Sequence, residues 1–161
     1  MDFIVRPAIL DDLEGIRTAH MDSIRRIASA YYPPEAIAVW ADDRSVVRYR
    51  EAIESGEVYF VAEMCGSILG FSSYKYEGGR HVLKMLYVRG NAARQGIGTA
   101  LLNTIENYVL EKGAQEIFLQ GSLAAEAFYL HHGYVQIRKY KYEMHGVLAD
   151  CFDMKKNLKA L

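Results

Sequence analysis

Residues 84–102, KMLYVRGNAARQGIGTALL, change their hydrophobic period within one short turn. Met85, Leu86, Tyr87 and Val88 are bulky and suit a strand, whereas Ile97, Leu101, Ile105 and Tyr108 recur at helical spacing. A strand that passes through a glycine-bearing turn into a helix leaves several amide groups unpaired at the helix start, reinforced by the macrodipole. Such a start favours an anion, above all a phosphate. Gly96 and Gly98 have no β-carbon to block close approach, and Arg94 can add a charge-assisted contact. Glycines at a strand-to-helix turn also serve tight geometry alone, so the remaining letters must discriminate. A dinucleotide fingerprint needs a third glycine where Leu101 stands, and Gly-Lys-Ser/Thr occurs nowhere in the chain. What remains is a pyrophosphate seat preceded by a strand whose edge can bond the amides of an extended ligand.

Around this segment the pattern predicts a mixed α/β chain. Phe3 to Val5 read as a strand broken by Pro7, and Asp11 with Glu14 forms a capping-box-like helix start. Leu13, Ile16, His20, Ile24 and Ile27 share one helical face, which is expected to meet the sheet. Tyr31, Tyr32, Pro33 and Pro34 end that helix; further helices are predicted from Glu35 through Trp40 and near Ser45 to Ile53. Strands follow at Val58 to Met64, Ser67 to Tyr76 and His81 to Val88, turning at Cys65-Gly66 and Gly78-Gly79, which implies three antiparallel neighbours. The helix from Gly96 stops after Lys112 at Gly113. A strand at Glu116 to Gln120, a helix at Leu123 to His131 capped by Ser122, and strands at Tyr134 to Met144 and Val147 to Lys155 complete the chain. The expected fold is a central, mostly antiparallel sheet flanked by helices.

The 161 residues fit one domain, without repeats or a linker. A net charge of -1 gives no bulk attraction to nucleic acid or anionic lipid, so an acidic ligand must be met locally. The start MDFIVRPAIL lacks a leader pattern and no run approaches a membrane span, so the expectation is a soluble, cytoplasmic protein without membrane contact. Cys65 and Cys151 form no metal or disulfide pattern and are expected to be buried thiols. His131 and His132 are adjacent, which on a helix turns them about 100° apart; no metal is expected.

A second motif lies at residues 122–134, SLAAEAFYLHHGY. Val88, the 94–98 turn with its helix, and the Ser-x-x-Ala-x-x-Phe-Tyr-x-x-x-Gly-Tyr pattern together resemble the acetyl-CoA-binding core of the GNAT superfamily of N-acetyltransferases. The order of strands and helices resembles that family over nearly the whole chain. The resemblance implies one GNAT domain over residues 1–161, acetyl-CoA as cosubstrate, and transfer to a primary amine on a small molecule or peptide. It places the pantetheine arm along Leu86, Tyr87 and Val88, and the pyrophosphate on the backbone of Arg94, Gln95, Gly96, Ile97, Gly98 and Thr99. It gives Tyr129 the role of acid toward the departing thiolate, which suits a phenol of pKa about 10 facing a thiol of about 8.5. Phe128 is expected to pack beside the coenzyme, and Ser122 either to cap the helix or to touch the arm.

The chain departs from the family at two points. Ala93 stands at the first position of the family's Gln/Arg-x-x-Gly-x-Gly turn, with Arg94 one residue later, and the strand HVLKMLYV carries no carboxylate to serve as base. His81, Glu77 and Glu63 are the stand-ins considered. The acceptor pocket implied by the family falls to the first helices, which brings forward His20, Ser23, Tyr31, Tyr32 and Trp40. The missing carboxylate leaves a non-catalytic acyl-CoA sensor or interaction module as the alternative. The tyrosines of residues 134–142 fit either a half-buried strand or one that pairs with a second subunit in a homodimer.

Overall fold

A computed structural model describes residues 2–42, 45–144 and 146–159. Seven strands form one sheet in the order β1-β2-β3-β4-β5-β7-β6. They are β1 (Ile4–Pro7), β2 (Val58–Met64), β3 (Ser67–Glu77), β4 (Arg80–Val88), β5 (Glu116–Ser122), β6 (Val135–Met144) and β7 (Val147–Asn157). Every pairing is antiparallel except β4 with β5. The helices are α1 (Leu13–Arg26), α2 (Pro34–Trp40), α3 (Val46–Glu54), α4 (Ile97–Glu111) and α5 (Glu126–His131). The expected mixed fold is the one observed.

Alternation along β2 explains why the sheet is covered on both faces. Tyr59 and Val61 pack with Leu13, Ile16 and Tyr49 of α1 and α3, whereas Phe60 joins Leu102 and Ile105 of α4 on the other side. All eight of these residues except Phe60 are at most 4% exposed, so the two layers are sealed along the middle of the sheet. At Gly15 a β-carbon would lie 2.6 Å from Cγ1 of Ile68; the missing side chain is what lets α1 sit this close to β3. The hairpin turns form where glycines allow them: Cys65 and Gly66 have φ of 50° and 78°, Gly78 and Gly79 of 59° and 73°.

Three local expectations are corrected. The residue that secures the start of α1 is Asp12, not Asp11: its carboxylate accepts the Ile9 N–H at 2.8 Å and is gripped by Arg6 at 2.7 and 2.9 Å. Arg6, projecting from β1, selects the aspartate it can reach. Ser122 caps no helix; it is the last residue of β5, paired with Cys151, and α5 begins later, after Ala125. Cys65 is exposed, because its hairpin position points the thiol to solvent, and Cys151 is half-buried.

Candidate active site

The sheet opens at its one parallel seam. β4 and β5 are in register only at Val82↔Phe118 and Leu83↔Leu119. The next residue of β4, Lys84, is an extra one: Ser73 and Tyr74 of β3 face Met85 and Leu83, leaving Lys84 as a bulge. The bulge bends β4 away from β5, and from Lys84 to Val88 the β5-facing edge of β4 has no strand partner among the described residues. A cavity of about 1450 Å³ fills the gap, walled by Leu83 to Val88 on one side and Gln120, Gly121 and Ser122 on the other.

At one end of the cavity lies the turn into α4. Gly96 is the N-cap of α4 at φ 82°, a left-handed conformation that glycine adopts without strain, and open space surrounds its missing β-carbon. Arg94 also has a positive φ of 60°. The first backbone donor of the helix to find a partner is Ala100 N–H, which bonds Gly96 O at 3.0 Å; the amides of residues 94–99 meet no acceptor among the described residues. Arg94, Gly96, Gly98 and Thr99 border the cavity. Gln95 and Ile97 do not: Gln95 reaches back to Asn91 O at 3.2 Å, and the Ile97 side chain, 1% exposed, is packed in the core with Leu101 and Leu69. These two can offer a ligand only backbone. The arrangement therefore presents unpaired donors and one exposed guanidinium, the chemistry that holds a diphosphate.

α5 closes over this end. The Phe128 ring lies 3.4 Å from where a Gly98 β-carbon would be. His132 ties α5 to α4: its Nδ1–H donates to Phe128 O at 2.7 Å, so in the neutral ring Nε2 accepts from the Thr99 hydroxyl at 3.0 Å. Nothing in the sequence marked His132, because the tie depends on how two helices meet. Tyr129 also lines the cavity, is 5% exposed, and its hydroxyl makes no hydrogen bond among the described residues. Burial, with a smaller contribution from the nearby Tyr87, pushes its pKa well above the ordinary phenol value.

The other end of the cavity is made of side chains. Ser23, Tyr31, Tyr32 and Trp40 border it, together with Arg48, Tyr142, Glu143 and Cys151, none of which sequence patterning placed at a site. Tyr142 was visible only as one of several strand tyrosines. His20 does not reach the cavity: it is 1% exposed, bonds the Tyr49 hydroxyl through Nδ1 at 2.8 Å, and lies behind Tyr87 with ring centroids 4.2 Å apart. Ile24 and Ile27, further along the same helical face, do border the cavity, but at the level of His20 the Tyr87 ring stands in between and takes the wall. Of the stand-in bases, Glu63 pairs with Arg6 at 2.7 Å, Glu77 with Lys84 at 2.5 Å, and His81 with the Tyr74 hydroxyl at 2.7 Å; none borders the cavity. No group of three or more His, Cys, Asp or Glu converges on a metal position among the described residues, and no described helix is long and apolar enough to cross a membrane.

A sheet splayed between two parallel strands, with a bare helix start at its mouth, defines a coenzyme-A-type cradle. The chain belongs to the GNAT acetyltransferase family: residues 28–158 match the Acetyltransferase (GNAT) domain. It is thus a GNAT-type acetyl-CoA-dependent acetyltransferase. No curated protein matches the chain in sequence. Among solved structures, it resembles a GCN5-related N-acetyltransferase from Rhodopseudomonas palustris, at 24% identity and a TM-score of 0.88 over 98% of this chain and 97% of that one. It is also similar to the PaiA N-acetyltransferase of Thermoplasma acidophilum, solved in complex with coenzyme A, at 20% identity and a TM-score of 0.76 over 98% and 99% of the two chains. A ribosomal-protein-alanine N-acetyltransferase from Brucella melitensis aligns at 21% identity and a TM-score of 0.75 over 96% and 99%.

Proposed function

We propose that the chain transfers acetyl from acetyl-CoA directly to the primary amine of a small molecule or a peptide end. The observation that carries the proposal is the meeting, in one cavity, of partnerless amides at the α4 start, an unpaired β4 edge, and the buried Tyr129 hydroxyl. In this reading the backbone of residues 94–99, with the Arg94 side chain, holds the diphosphate. Leu86, Tyr87 and Val88 flank the pantetheine arm, bordered by Ser122 and Phe128. Bound coenzyme supplies the acyl thioester. A backbone N–H of β4 polarises its carbonyl, and positioning of the two reactants does most of the work.

Tyr129 gives its proton to the sulfur as the C–S bond breaks. Burial strengthens the phenol's hold on that proton, yet the same dry surroundings raise the proton affinity of the nascent thiolate, so the transfer keeps its driving force. Ser23, Tyr31 and Trp40 border the acceptor, and His20 supports Tyr87 from behind. Asp42 and Glu143 are the carboxylates at the cavity wall among the described residues.

The test is a thermal-shift and calorimetric screen with coenzyme A, ATP and NAD, followed by thiol release from acetyl-CoA over a broad panel of amines and peptides. Selective stabilisation by coenzyme A and thiol release with one acceptor class support the proposal. Tight coenzyme binding with no release over the whole panel favours the acyl-CoA sensor, and preference for ATP or NAD removes both readings.

A further inference from the structure

The hydroxyl of Tyr32 occupies a position in the sheet that the strand ladder would otherwise fill. β5 and β7 pair in continuous register from Glu116↔Asn157 to Ser122↔Cys151. One step further, the antiparallel pattern sets Leu123 opposite Asp150. There the Leu123 N–H donates to the Tyr32 hydroxyl oxygen at 2.7 Å, and the same hydroxyl donates to Asp150 O at 2.7 Å. A side chain 91 residues earlier in sequence is thus inserted between two backbone groups that would bond each other. The phenol is 7% exposed, and its ring meets Trp40 edge-on at 5.3 Å. The next residues are Pro33 and Pro34, the latter opening α2.

The hydroxyl's one proton and one of its lone pairs are engaged by backbone, which makes it part of the sheet. We infer that Tyr32 is a positioning residue for acetyl transfer: its hydroxyl, wedged between β5 and β7, fixes where β5 leaves the sheet and so aims the segment that carries Tyr129. Ser122 borders the cavity and Tyr129 follows seven residues on, in a helix that starts after Ala125. The Tyr32 ring meanwhile holds the α2 wall against the same strand end. One side chain thereby sets the separation between the acceptor wall and the thiolate acid. This inference rests on the reading of the cavity as the transfer site.

Tyr32→Phe removes one atom and keeps the ring. The retained ring still keeps the two strands apart, so the Leu123 N–H and the Asp150 carbonyl lose their shared partner and residues 123–131 loosen. In the full-length variant, amide hydrogen exchange over residues 123–131 is expected to quicken about tenfold or more, while Glu116 to Gln120 and α4 keep native rates. The coenzyme A dissociation constant, measured by calorimetry, and the KM for acetyl-CoA are expected to stay within about twofold, and kcat for the best amine of the panel to fall about tenfold or more. Glu106→Gln provides the comparison, because it disturbs a part-buried pair with Lys156, bonded at 2.9 Å, in the far half of α4. That variant should lose stability and keep kcat.

Native exchange rates at residues 123–131 in Tyr32→Phe overturn the inference, as does a kcat loss no greater than that of Glu106→Gln at matched thermal stability. If the variant does not fold, the native protein decides: the Leu123 amide must exchange as slowly as amides inside the β5 ladder, and rapid exchange there removes the inserted rung. Failure of the native protein to bind coenzyme A would end the functional reading and leave the exchange result standing.

Discussion

At its α4 end the cavity presents backbone, whereas at its α2 end it presents side chains. The α4 end consists of unpaired amides, a left-handed glycine and a strand edge released by a bulge. The α2 end consists of Tyr31, Trp40, Tyr142 and charged neighbours drawn from elements far apart in sequence. Backbone recognition suits a ligand that never changes, because almost any helix sequence can supply it. Side-chain recognition suits a partner that differs from one protein to the next. On the proposed function, the difference teaches that the coenzyme half is generic and that acceptor choice falls to a few exchangeable side chains.

Tyr129, where the two ends meet, offers the sharpest way to break the comparison. Tyr129→Phe is expected to lower kcat about a hundredfold, with coenzyme A affinity barely changed, in steady-state assays paired with calorimetry. Equal and modest losses in both would move Tyr129 from chemistry to packing. At the backbone end, Gly96→Val puts a branched residue at φ 82° and should weaken coenzyme A binding about tenfold, since the left-handed conformation costs such residues roughly 1–2 kcal/mol. Unaltered affinity would mean that the turn is not the diphosphate seat.

α1 brings Ser23 to the α2 end of the cavity, and the turn that leads into α1 is secured by Asp12 and Arg6. The Arg6 hydrogen bonds hold the Asp12 carboxyl below its ordinary value of 3.8 in the folded chain. The stabilisation is therefore present above the unfolded value and is lost as acid protonates the folded side chain. Asp12→Asn should cost about 1–2 kcal/mol at neutral pH in denaturant unfolding, and the gap to the native protein should narrow below pH ~4. A gap that persists undiminished at low pH would assign the effect to something other than this ion pair. The smallest effect belongs to Trp40→Phe: a few-fold rise in acceptor KM and no change in coenzyme binding, because one aromatic face replaces another. A matching loss of coenzyme affinity would show that the two ends are not separable.

The same division explains what could be read from sequence. The period switch at Gly96 and the paired hairpin glycines are local signals, and the strands and α4 fall where those signals put them. Asp12 displaced Asp11 because Arg6, on another element, makes the choice. Ser122 remained in β5 because β7 pairs with it, and strand pairing outweighed its fitness as a cap. His20 lies on the face of α1 that reaches the cavity at Ile24 and Ile27, but one turn earlier, where Tyr87 from β4 covers it. The His132 tie and the Tyr32 insertion have no sequence signature, since each exists only once distant elements have docked.

The short seam at Val82↔Phe118 and Leu83↔Leu119 has a mechanical consequence. With so little hydrogen bonding between them, the halves β1 to β4 and β5 to β7 share a core instead, in which Leu102 and Ile105 of α4 join Phe60 and Leu83 on one side and Ile117 and Met154 on the other. A ligand threaded into the opening would act as an eighth strand and couple the halves into one cooperative unit. Its binding should then slow amide exchange on both flanks of the opening, and the melting temperature should climb with its concentration.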